Sequence, residues 1–235
     1  METNNINNNL ELNKNYYPIS EIAYKSLKDL IVKCKFKGGD RLILSDLASK
    51  MNISITPIRE ALKQLEKDEL VEVIPNKGAI VVNIFLEDVI EIYDIRSSLE
   101  CLAIQLLHNK IDNTFLETIH KLYEESKKCV EKGDMESYQN YNKKFHDLLI
   151  SKTGNKRLIK IMNRIRNHMS IIIINNLSLK LIDKNRNQHS KEHLQIIKAL
   201  ERADFNTAEE IVKNHILKSK EEILKNFKGS EKINQ

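Results

Sequence analysis

The period of the chain changes only once, between residues 71 and 82. Val71 to Ile74 and Ala79 to Val82 are β-prone runs, and Pro75-Asn76-Lys77-Gly78 between them is a strong turn signal. They predict one small hairpin. Before and after it, the apolar residues recur at helical spacing. From Ile19 to about Phe36 the stripe is Ile22, Ala23, Leu27, Leu30 and Ile31, and Gly38-Gly39-Asp40 stops it. Ser45 then reads as the N-cap of a short helix through Met51, and Asn52-Ile53-Ser54 as a tight turn. A further helix runs from about Pro57 to Lys67. After Asn83 the pattern stays helical, with segments near 86–108, 113–132, 135–152, 155–182, 189–202 and 206–227. Gly133 and Gly154 mark two of the joints. The expected fold is therefore mainly α. A flexible arm (1–17) precedes a winged helix-turn-helix domain (18–83), and an all-helical antiparallel bundle of six to seven helices (84–230) follows.

Composition supports this reading and narrows the function classes. Six glycines and three prolines in 235 residues favour helix. The net charge is only +5, and residues 18–82 carry 11 basic and 9 acidic side chains. Any case for nucleic-acid binding must then rest on where the charges sit. Cys34, Cys101 and Cys129 form no CxxC pair, which argues against a zinc ribbon or a disulfide framework. Three scattered thiols fit a reducing, cytoplasmic setting. The polar start shows no secretory signal, and the Ile171–Ile174 run is too short to span a membrane.

In the stretch NISITPIREALKQLEKDELVEV (52–73), Ile58, Ala61, Leu62 and Leu65 form the buried stripe of the second helix. Thr56 reads as its cap and Pro57 as a first-turn proline, tolerated because its missing N–H would be unpaired anyway. Thr56, Arg59 and Lys63 lie on the opposite side, and Ser54 precedes the start. Hydroxyls, free N–H groups and an arginine on a first turn suit a phosphate backbone and a major groove. Lys77-Gly78 at the hairpin tip would meet neighbouring phosphates. An ordinary solvated helix face is the competing reading for such a helix taken alone.

The ordered run GDRL…LASKMNIS-x-TPIREALKQLEKDELVEVIPNKGAIVV resembles the GntR family of bacterial transcription regulators, over roughly residues 39–82. That resemblance implies binding to double-stranded operator DNA as a homodimer. Where the family commonly has an arginine that reads guanine, this chain has Ile55. The expected consequence is less guanine readout and more reliance on thymine contacts and DNA shape.

In the helical part, Asn142, Phe145, His146 and Leu149 share a face. His193 lies with Ile196, Ile197 and Leu200, and His215 with Ala208, Val212 and Ile216. Three inward imidazoles on three helices suit a divalent transition metal, but spacing alone does not bring them together, and each could be a satisfied core histidine. Residues 86–227 resemble the FCD effector domain of the FadR-like branch of the family. The resemblance implies convergence of Asn142, His146, His193 and His215 on zinc or nickel. The family usually has aspartate at the first position, so Asn142 is a departure. His189, one turn before His193, is expected near the pocket rather than on the metal. Arg96 points inward with Val89, Ile92 and Leu99 and needs a partner. Glu100 is the nearest, and the resemblance implies instead the carboxylate of a small effector. A metal-free regulator sensing acyl ligands is the alternative. A metal-dependent hydrolase is a third reading, weakened by the absence of HExxH and GxSxG and by few spare inward carboxylates.

Overall fold

The computed structural model describes residues 18–177 and 186–231. The arm expected at 1–17, and residues 178–182 of the helix expected at 155–182, lie outside them. Contacts divide the chain into two compact units: the first runs to Ile31 and then over Phe36–Val82, and the second takes Val32–Lys35 and the residues from Asn83 onward.

The first unit holds α1 (Ile19–Val32), β1 (Arg41–Ile43), α2 (Leu44–Met51), α3 (Ile55–Lys67), β2 (Val71–Ile74) and β3 (Gly78–Val81). Its core is drawn from the expected stripes: Ala23, Leu27 and Ile31 of α1, and Ile58, Ala61, Leu62 and Leu65 of α3. Fully burying each large aliphatic side chain contributes about 1.5–3 kcal/mol against chain entropy. Asn52 ends α2 in the left-handed conformation, which gives the tight turn between α2 and α3.

Several local expectations are corrected. The first helix stops at Val32, not near Phe36. Ile43, not Ser45, flanks the start of α2, and no side chain caps it. α3 begins at Ile55 with Ser54 in the N-cap position, so Thr56 lies inside the first turn and Pro57 is its third residue. Proline fits there for the same reason as at the first position, because none of the first-turn amides has an intrahelical acceptor. The sheet also has three strands rather than two, in the order β1-β3-β2, all antiparallel. β1 has only three residues, too few to show a period. Gly78 does not stand at the hairpin tip. It is buried, opens β3 and lies opposite Ile43 of β1 and Ile74 of β2.

The second unit contains α4 (Leu86–Leu106), α5 (Asn113–Lys132), α6 (Met135–Lys152), α7 (Lys156–Leu177), α8 (Arg186–Glu201) and α9 (Phe205–Glu231). Asp112 caps α5 by accepting from the Phe115 N–H at 2.8 Å, and Asp134 caps α6 by accepting from Ser137. Gly133 closes α5 at φ +69°, a conformation that glycine adopts without a Cβ penalty. α4 packs chiefly on α9, α5 on α6 and α8, and α8 on α9. Tyr93, Ile104, Ile119, Phe145, Leu149, Ile196, Ile197, Val212 and Ile216 belong to one continuous core. The bundle places inward faces of α4, α6, α8 and α9 around a common interior, and polar side chains project into it. Cys34, Cys101 and Cys129 are all free thiols. Among the described residues, no helix is long and apolar enough to cross a membrane.

Candidate nucleic-acid interface and candidate metal centre

In the first unit, the start of α3, the start of α2 and the β2–β3 turn enclose a concavity of about 520 Å³. Arg41, Arg59 and Lys77 line it together with Ile43, Ile55, Ser45, Asn76 and Gly78, and no acidic residue does. All three cations are exposed, and among the described residues none is paired with a carboxylate. A phosphate there would meet positive charge that no carboxylate among the described residues already satisfies. Ser54 occupies the N-cap position but its side chain accepts no capping hydrogen bond. The amides of Ile55 and Thr56 remain donors at the positive end of the helix. Lys63 is exposed one turn beyond Arg59 but does not line the concavity, and Pro57 is half-buried.

In the second unit, His146 of α6, His193 of α8 and His215 of α9 come together in the interior. One ring nitrogen from each lies within 4.8 Å of the others. The Nε2 atoms of His193 and His215 are 3.3 Å apart. A tetrahedral site with metal–nitrogen bonds of about 2.05 Å has a nitrogen–nitrogen edge of about 3.3 Å. His193 stacks on Phe145 with ring centroids 4.1 Å apart, which fixes its plane.

Carboxylates hold the far nitrogens of two of these rings. Glu100 of α4 takes His146 Nδ1 at 2.6 Å, and Glu192 of α8 takes His215 Nδ1 at 2.9 Å. With Nδ1–H donated to the carboxylate, a neutral ring turns its Nε2 lone pair to the interior, the arrangement in which a carboxylate orients a metal-bound histidine. His146 Nε2 is buried and has no hydrogen-bond partner among the described residues. Such an orphaned acceptor is costly unless something occupies the space before it.

The electrostatics keep His193 and His215 neutral. Burial pushes the His215 pKa down to about 4, although its hydrogen bond to Glu192 works upward. Burial, then the neighbouring His215 and His146, hold His193 well below the usual histidine range. Burial tends to raise the Glu192 pKa, but His215 and Lys218 overcome this and bring it to about 2. Glu100 is likewise held well below the carboxylate range, because His146 and Arg96 outweigh its desolvation. Neutral His193 and His215 beside ionised Glu100 and Glu192 are the protonation states a cation needs. The residues present therefore fit a divalent transition metal.

Residues 19–81 match the family described as bacterial regulatory proteins, gntR family, and residues 91–218 match the FCD domain. The HTH-type transcriptional regulator YdhC of Bacillus subtilis strain 168 is 31% identical over 196 residues, covering 83% of this chain and 84% of that protein. The chain belongs to the GntR family. The HTH-type regulator McbR of Escherichia coli K12 is 36% identical over 109 residues, 46% of this chain and 49% of that one. The solved structure of E. coli McbR/YncC superposes with a TM-score of 0.78 at 23% identity, covering 90% of this chain and all of that one. At that identity the superposition establishes a common fold. This GntR protein is a transcription regulator, not an enzyme, with a winged helix-turn-helix followed by a helical FCD domain.

The structure of this GntR chain brings His146, His193 and His215 together, which spacing alone left open. His189 joins them from the side: its Nδ1 is 3.3 Å from His215 Nδ1 and its Nε2 is 2.9 Å from Glu222. Asn142 is half-buried, one helical turn before His146. Arg96 is buried and inward, and its Nε donates to Glu100 Oε1 at 2.7 Å. The partner nearest in sequence is thus the one it has. Glu100 bridges the guanidinium and the His146 ring.

Sequence reading missed several members of both sites. Arg41 and Ile43 escaped notice because β1 was not foreseen. The reading that inward carboxylates are few is also corrected: Glu192 is buried beside His215, and Glu222 reaches His189. The signal for Glu192 was its place three residues after His189 in HSKEH, which puts both on one helix face. Asp147 and Arg166 add a further ion pair, Nε to Oδ1 at 2.6 Å. Arg166 also donates through Nη1 to Asn163, while its buried Nη2 has no partner among the described residues.

Proposed function

We propose that this regulator binds operator DNA as a homodimer in the cytoplasm through the Arg41–Arg59–Lys77 concavity. In this reading the second unit senses a small carboxylic acid beside a bound zinc or nickel ion. The observation that carries the sensor reading is the buried, partnerless His146 Nε2 beside the His193–His215 pair. His146, His193 and His215 would hold the metal, with Asn142 a candidate fourth ligand. The metal would supply Lewis-acid attraction for a carboxylate oxygen. Glu100 and Glu192 orient two of the rings. Arg96, at 5% exposure, and His189 would contact the effector. Three ligating histidines favour this reading over a metal-free acyl sensor. Effector binding would shift the packing of α4 against α8 and α9, and through it the spacing of two DNA-binding units on two half-sites.

The test has two parts. Fluorescence anisotropy of the purified protein on its own upstream DNA, against a scrambled duplex at fixed salt, should give tight binding to the first alone. Fixed salt matters because the phosphate contribution is steeply salt-dependent. Metal analysis of the same preparation should find about one zinc or nickel per chain. Equal weak binding to both duplexes, or a metal-free protein that cannot be loaded, would count against the respective half of the proposal.

Two substitutions sharpen this. Arg59→Ala is expected to weaken operator binding by about tenfold to a hundredfold, the loss of one well-placed arginine contact, with the fold intact because the side chain is exposed. An unchanged anisotropy curve would remove Arg59 from the interface. Glu192→Gln keeps the shape but loses the charge behind His215, so metal affinity is expected to fall about tenfold to a hundredfold. A chelator competition titration reads that number directly, and a loss below twofold would deny Glu192 its orienting role.

A further inference from the structure

Ile43 and Ile55 are large aliphatic side chains left in the open. Ile43 is 46% exposed and Ile55 43%, and both line the concavity whose charged members are Arg41, Arg59 and Lys77. In this unit, the other exposed large apolar residues, Ile19, Ile22 and Leu30, all belong to α1. An apolar pair ringed by unpaired cations is poorly matched to water and well matched to a polyanion that carries an apolar group. We propose that Ile43 and Ile55 read the C5-methyl group of a thymine in the major groove, so that each operator half-site carries a required T·A pair facing the start of α3. The inference rests on the DNA-binding reading above and specifies what that interface selects.

The chemistry leaves little choice of base feature. Neither isoleucine can donate or accept a hydrogen bond, so neither distinguishes the acceptors of guanine from those of adenine. The thymine methyl is the apolar landmark on the major-groove edges. Ile55 is the first residue of α3, at the helix end that offers its free amides, one turn before Arg59. Ile43 is the last residue of β1 and is held in place by its register opposite Gly78. The two arrive from different elements, so a methyl entering the concavity is met from two sides. The cations fix the register on the backbone and carry no sequence information themselves.

The experiment begins with selection of operator duplexes from random DNA by the full-length protein. Each thymine of the selected operator is then replaced singly by deoxyuridine, which removes the methyl and leaves pairing and hydrogen-bonding edges unchanged. Anisotropy at fixed salt is expected to show one thymine per half-site whose loss weakens binding roughly fourfold, the worth of one methyl-sized group taken out of water. Replacing it in both half-sites should multiply the losses to about fifteenfold. Ile55→Ala and Ile43→Ala should bind more weakly and be indifferent to deoxyuridine at that position, while Ile55→Val should keep most of the discrimination. A selected operator that tolerates deoxyuridine everywhere would overturn the inference while leaving DNA binding intact. So would an Ile55→Ala protein that still loses fourfold at the same thymine. Selection that enriches no duplex would overturn the DNA-binding reading and this inference with it.

Discussion

His193→Ala is expected to lower the affinity for zinc or nickel by at least about a hundredfold. Removing a partner that only orients a ligand typically loses ten- to a hundredfold, and His193 is placed to be a ligand itself. It is 1% exposed, and its Nε2 is 3.3 Å from that of His215. The measurement is a competition titration against a chromophoric chelator. The wild-type protein should also gain stability with metal, by about 2.7 kcal/mol at a free concentration a hundredfold above the dissociation constant. The variant should show no such gain at the same concentration. Alanine also removes the ring that stacks on Phe145, so some loss of metal-free stability is expected from packing alone. His146→Gln separates the two effects. It preserves bulk on a different helix and should lose metal affinity to a similar degree. If both variants bind metal like the wild type, the three histidines are a core cluster and the metal reading fails.

Gly78→Ala should be the most damaging single methyl addition in the first unit. A Cβ at this position would sit 1.9 Å from the carbonyl oxygen of Leu42 and 2.9 Å from its carbon. Both are backbone atoms of the neighbouring strand, so no side-chain rotation relieves the clash. The residue's φ of +139° is also one that L side chains rarely adopt. β1 would have to separate from β3, and Ile43 with it. The expected cost is about 3 kcal/mol, enough to lower the melting temperature of a unit this size by roughly 15 °C. Operator binding should fall with it, because Arg41 is carried on β1. Gly133→Ala is the control. Gly133 also has positive φ (+69°), but nothing lies within 4 Å of its Cβ position, so about 1 kcal/mol is expected from the backbone alone. Equal melting temperatures for Gly78→Ala and wild type would mean that the strands part at little cost.

These two experiments probe different kinds of information. Helix positions and their inward faces follow from the sequence because they depend on short-range spacing. Leu27, Ile31, Ile58, Leu62 and Leu65 are buried as their period requires, and so are His146, His193 and His215. The hairpin was legible because a β-prone run, a turn and a second run lie within twelve residues. Helix ends were less so. The start of α3 moved by two residues because Ser54 and Thr56 are both acceptable N-caps, and the choice depends on how the turn from α2 delivers the chain.

β1 was invisible for a deeper reason. Three residues carry no period, and Arg41–Ile43 become a strand only because β3 offers the edge to pair with. The same holds for the role of Gly78, which the sequence places at the hairpin tip and the sheet uses as a point of close backbone approach to Leu42. The sites divide in the same way. By itself the sequence determined which residue types face inward or outward on each helix, because a side chain's direction is fixed by its place in a 3.6-residue repeat. Only the tertiary structure decided which of them meet. Glu100 and Glu192 could have faced any neighbour, yet one orients His146 from 46 residues away and the other holds His215 from 23. Ile43 and Ile55 come to share one concavity because a sheet edge and a helix start are packed side by side, a distance that no periodicity along the chain encodes.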